Sequence, residues 1–124
     1  MDKEEFEIQY NNITERAMLL SEKSRREGLL ALEEVIDEEK LIQRDIFEWG
    51  IRLVVDGTDY AIIDKILSNI INLETNIDKK ILKTVQKEAV LGIFNGENPR
   101  LLNLLLNSHV SIGIESAMKK YNEI

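Results

Sequence analysis

The residues of this chain that are able to do chemistry are few. The segment Val54-Val55-Asp56-Gly57-Thr58-Asp59 holds an Asp-Gly-Thr after an apolar run, the setting of an aspartate that attacks phosphorus. That chemistry needs a first aspartate two residues before Asp56, and Val54 stands there, so the nucleophile is missing. His109 is the sole histidine and there is no cysteine, which leaves no support for a histidine-based metal cluster, a Ser-His-Asp triad, thiol catalysis or a thiolate metal site. As a lone histidine in an apolar segment, His109 reads as a satisfied structural residue. Glu33, Glu34, Asp37, Glu38 and Glu39 are dense enough to attract a hard cation, but they lack the ordered ligand spacing and glycine turn of a calcium loop. A solvated acidic surface is the better reading. No glycine-rich phosphate loop occurs, so neither a nucleotide nor any other cofactor is expected.

With no catalytic constellation, the charges point to binding. The formal net charge of −7 repels a nucleic-acid backbone or an anionic membrane surface, and the lysines and arginines are scattered among carboxylates. The opening MDKEEFEIQY is acidic and has no apolar core, so no signal peptide is expected. The longest stretch free of Asp, Glu, Lys and Arg in the second half, Leu101 to Ile114, is too short and too polar for the roughly 20 apolar residues of a membrane span. No direct membrane insertion is expected.

The elements that must present these charges are helical. Proline occurs once and glycine six times, leaving long stretches without a breaker. Phe6, Tyr10, Ile13, Ala17 and Leu20 recur at helical spacing, and Leu29, Leu32, Val35 and Ile36 carry the stripe past Gly28. A second run places Ile42, Ile46, Trp49 and Leu53 on one side. Gly57 reads as its stop, with Thr58 or Asp59 capping a third helix that carries Ile62, Ile63, Ile66, Leu67, Ile70 and Ile71. Ile77, Ile81, Val85, Ala89 and Ile93 predict a fourth helix ending near Gly96. Asn98 as cap and Pro99 at the first helical position then open a fifth through Leu101 to Leu106. The leucines of this last run occupy more than one face and read chiefly as core, with self-association as the alternative. The expected fold is all-α, a compact bundle of about five helices in hairpin topology, one domain over residues 1–124, with no internal repeat.

Three segments, in this order, carry a resemblance: SRREGLLALE (Ser24 to Glu33), FEWGIRLVVDGTD (Phe47 to Asp59) and KEAVLGIFNGENPRLL (Lys87 to Leu102). Together they are similar to the cytoplasmic region of the MotA family of flagellar stator subunits, and less to the related ExbB and TolQ proteins. In that family two membrane helices precede the first segment and two more separate the second from the third. Here only LETNIDKKILKT, Leu73 to Thr84, joins them, and a tight connection near Glu74 to Asn76 would close the flanking helices into a hairpin. The resemblance implies a non-enzymatic motor protein in the cytoplasm, beside the inner-membrane flagellar motor, that does not conduct ions. Its implied partner is a rotor protein of the FliG type, with self-association or contact with stator subunits in addition. The implied contacts are Arg25 and Glu33, with Arg26 and Glu22 beside them. On one continuous helix Arg25 and Glu33 would share a broad face. Equally, Glu22 and Arg26 stand four apart and could simply stabilise their own helix. A membrane-free scaffold or assembly factor, natural or an engineered stator fragment, is the alternative that the same residues allow.

Overall fold

The computed structural model describes residues 1–36 and 45–122. Among these the chain forms six α-helices and one 3-10 helix: α1 (Lys3–Glu27), the 3-10 helix Leu29–Val35, α2 (Ile46–Val55), α3 (Tyr60–Asn72), α4 (Ile77–Phe94), α5 (Pro99–Asn107) and α6 (Ser111–Asn122). The all-α expectation holds and no strand occurs among the described residues. The helix count exceeds five for two reasons. Gly28, at φ 92°, ends α1 and hands the chain to the 3-10 helix, so the stripe at Leu29 to Ile36 does not prolong α1. The turn at Ser108 to Val110 divides the C-terminal stretch into α5 and α6.

Helix α4 is the spine, packed by α1, α2, α3 and α5. It buries Leu82, Val85, Ala89, Val90, Leu91 and Ile93. From α1 come Tyr10, Ala17 and Leu20, with Phe6 and Ile13 half-buried against them, as the stripe requires. Helix α2 is rotated from the expected face. It buries Ile46, Phe47, Gly50, Ile51 and Val54, while Trp49 stays 42% exposed. The cause is Gly50: a Cβ there would sit 2.6 Å from a Val90 methyl, so its bare backbone lets α2 lie directly on α4. Ile42, the other residue of that expected face, lies outside the described residues.

The α2–α3 and α4–α5 connections are the same structure twice. In the first, the amide of Gly57 donates to Val54 O and that of Thr58 to Leu53 O; in the second, Gly96 donates to Ile93 O and Glu97 to Gly92 O. Both are Schellman caps, with Gly57 at φ 78° and Gly96 at φ 63°. Aligning the two glycines superposes buried positions: Ile51 with Val90, Val54 with Ile93, Ile63 with Leu102, Leu67 with Leu106. The chain therefore contains two equivalent helical hairpins, contrary to the expectation of no repeat. The shared pattern is one of burial and turn chemistry rather than residue identity.

Helices α3 and α4 run antiparallel around the connection Leu73–Asn76. Glu74 closes it, accepting the amides of Thr75 and Asn76 and the Lys83 ammonium at 3.0 Å, and these donors hold its carboxyl below the usual range. Farther along the pair, Lys87 Nζ lies 3.0 Å from both Asp64 Oδ1 and Ser68 Oγ. Tyr60 meets Phe94 edge-on at 5.5 Å, pinning the start of α3 to the end of α4.

Two measurements check this packing. Gly50→Ala drives a methyl into the stiff, β-branched Val90 and should cost about 1–3 kcal/mol in urea unfolding. Gly92→Ala meets only the end of the Leu102 side chain, and its helix-propensity gain of roughly 1 kcal/mol offsets the contact. The Asp64–Lys87 link sets a pH dependence. The Lys87 ammonium lowers the Asp64 carboxyl's pKa in the folded chain, so its stabilisation is complete above the unfolded value and lost as pH falls through the folded one. The stability gap between wild type and Asp64→Asn should be flat from about pH 5 to 7 and close below about pH 4.

Candidate functional site

The four residues singled out for partner contact lie around the C-terminal turn of α1, and they do not form the single helix face expected. Arg25 and Arg26 are in the last turn of α1, Glu22 one turn earlier, and Glu33 on the 3-10 helix beyond Gly28. The break at Gly28 cancels the geometry of one continuous helix between Arg25 and Glu33.

Arg25 turns inward along the surface. Its Nη1 donates to Gly96 O at 2.7 Å and to Glu97 O at 3.3 Å. These carbonyls belong to the Schellman turn that ends α4, where the partial negative charge of a helix C-terminus gathers. Arg25 thus clamps the end of α1 to the α4–α5 turn, joining two segments that are far apart in sequence. Glu22, Arg25, Arg26, Gly96 and Pro99 line an open groove along this seam.

The neighbouring charges divide into held and presented. Lys23 Nζ bridges Glu27 at 3.3 Å and Glu34 at 2.9 Å, tying α1 to the 3-10 helix; the hydrogen bond to Glu34 is the main reason its pKa is raised. Glu34 is thereby engaged in an internal link. Glu22 and Arg26 make the i,i+4 pair, loosely at 3.8 Å, with both side chains more than 60% exposed. Glu33 is exposed. Asp37, Glu38 and Glu39 of the acidic run lie outside the described residues, and no group of three or more His, Cys, Asp or Glu able to hold a metal occurs among those described.

The remaining chemical candidates resolve structurally. Val54, where the nucleophile would stand, is buried in α2, and Asp56 lies 3.6 Å from Arg52 of its own helix. Gly57 is the helix stop, as expected. Asp59 takes the N-cap position of α3 but makes no side-chain cap bond, unlike Asn98, whose Oδ1 accepts the amide of Arg100. His109 is not the well-satisfied residue expected. Its Nε2 is buried without a hydrogen bond, 3.7 Å from Glu88 Oε1. Leu102 and Leu106 are fully buried, so half of the leucine-rich run is core.

Two residues that the sequence reading passed over organise the bundle. Arg16 reaches Glu48 at 3.0 Å and Asp45 at 3.3 Å, with its guanidinium 4.8 Å above the Phe47 ring. It fixes the start of α2, whose N-cap is Asp45. Tyr10 donates its hydroxyl to Asn107 Oδ1 across the bundle, and burial pushes its phenol up to about 12. Its position on the α1 stripe signalled burial; its polar partner, near the other end of the chain, was invisible to local spacing.

No helix among the described residues is long and apolar enough to cross a membrane. Comparison with protein-family models, with curated proteins and with solved structures finds no significant match.

The clamp and the presented pair should separate in stability. Arg25→Ala removes charged hydrogen bonds at the surface and should cost about 1 kcal/mol. Arg26→Ala loses only an exposed ion pair and should change urea unfolding by less than about 0.5 kcal/mol.

Proposed function

We propose that this chain is a non-enzymatic interaction domain of a flagellar motor, similar to the cytoplasmic part of a MotA-type stator subunit, that engages a FliG-type rotor protein without conducting ions. The observation that carries this reading is the seam at Arg25. SRREGLLALE and KEAVLGIFNGENPRLL, two of the three segments that bear the resemblance, meet there and frame one charged groove. Arg26, Glu22 and Glu33 are the charges left outermost on it. Exposed charges of both signs suit a partner that binds and releases, since such contacts steer encounter and set register more than they add affinity. Arg25 contributes by holding the groove's two walls together.

One observation favours the scaffold reading as the alternative. Arg25 already has two carbonyl partners within the chain, so it has a structural use with no rotor present.

Binding to the purified C-terminal domain of a FliG-type rotor protein, at low and moderate salt, tests the proposal. Salt-sensitive binding that Arg26→Glu and Glu33→Lys weaken by about tenfold or more is the expected result. Absence of binding at low salt by the folded wild-type chain would overturn the rotor-facing role and leave the scaffold.

A further inference from the structure

Helix α3 presents an apolar flank that nothing in the chain covers. Ile62 is 47% exposed and Ile66, one turn on, 37% exposed. At the C-terminal end of the same helix stand Leu73 at 82% and Ile77 at 75%, the two most exposed large apolar side chains among the described residues. Between Tyr60 and Ile77 the only charged side chains are Asp64, Lys65 and Glu74, and Asp64 and Glu74 are already paired with Lys87 and Lys83. On a chain of net charge −7 this is a stretch where a second negatively charged body meets little repulsion.

The two ends of the stretch carry opposite free charges. Asp59, at the start of α3, is exposed and makes no cap bond. Lys79 and Lys80, on the first turn of α4 beside the end of α3, are exposed, and neither ammonium is hydrogen-bonded or ion-paired among the described residues. We infer that α3 is a self-association face, on which two copies of this chain pair antiparallel about a twofold axis near Ile66 and Ile70. Under that symmetry residue i meets j while j meets i, so each Ile62 end faces the partner's Leu73 and Ile77 end. Each Asp59 then approaches the partner's Lys80, and the apolar contact and the charge pattern demand the same orientation. A parallel pairing would set Asp59 against Asp59 and Lys80 against Lys80. An anionic lipid surface fits less well, because the carboxylates of Glu74 and Asp78 flank the Leu73 and Ile77 tip. The inference stands apart from the rotor-facing reading, which uses other residues.

Sedimentation velocity over a wide concentration range is the test, with circular dichroism confirming that each variant folds. The wild type should shift from monomer to dimer with concentration, and Ile66→Glu should remain monomeric. Asp59→Lys should weaken the dimer about tenfold, and Asp59→Lys combined with Lys80→Asp should restore it. A wild type that is monomeric at every concentration overturns the inference, as does a dimer indifferent to Ile66→Glu or a charge swap without rescue. A monomer that floats with phosphatidylserine vesicles would instead give the Leu73 and Ile77 tip to lipid.

Discussion

The close approach of α2 to α4 at Gly50 and Val90 constrains everything around it. With no side chain at Gly50, the two backbones lie near enough for Phe47, Ile51 and Val54 to reach the same layer as Val85, Ala89 and Ile93. That rotation of α2 exposes Trp49 and fixes where Asp45 and Glu48 meet Arg16 of α1. It also aims the α2–α3 turn so that α3 returns along α4, where Lys87 and Lys83 fasten it. A bulkier residue at Gly50 would disturb not one contact but the level of a whole helix, because interiors pack too densely to absorb a methyl without displacement.

The polar links follow from that frame and sit mainly at helix ends. Arg16 fixes the start of α2, Lys23 and Arg25 the end of α1, Glu74 the start of α4, and Tyr10 with Asn107 joins α1 to α5. Most are partly exposed, so singly they add little; placed at termini, they satisfy carbonyls and amides the helices leave open. The charged groove at the end of α1 is a by-product of this arrangement, its walls set by the same arginine that seals the seam.

Much of the fold was legible because its signals are local. The stripe from Phe6 to Leu20, the stop at Gly57, and the Asn98–Pro99 start each depend on residues within one or two turns, and each is where the sequence put it. The errors share a cause as well. The facing of α2 depends on Val90, the sequence-distant partner of Gly50, and the pairing of Arg25 depends on carbonyls of Gly96 and Glu97, which carry no residue-type signature. The hairpin repeat stayed hidden because only glycines and the apolar character of neighbours are shared, not side-chain identity. For the candidate site, spacing showed the Glu22 and Arg26 pair but not which charges would be drawn inward.

The connection Leu73–Asn76 has a topological consequence. Its flanking helix ends are neighbours, Glu74 holds the corner from outside the core, and Leu73 and Ile77 bury little. Added chain at such a point is thermodynamically cheap, since each doubling of a flexible loop costs only about 0.6 kcal/mol of closure entropy. An insertion whose own ends return side by side would leave every buried residue of α3 and α4 in place. The bundle is therefore indifferent to whether its polypeptide turns back at this corner or makes an excursion elsewhere before returning, and the same packed helices serve either route.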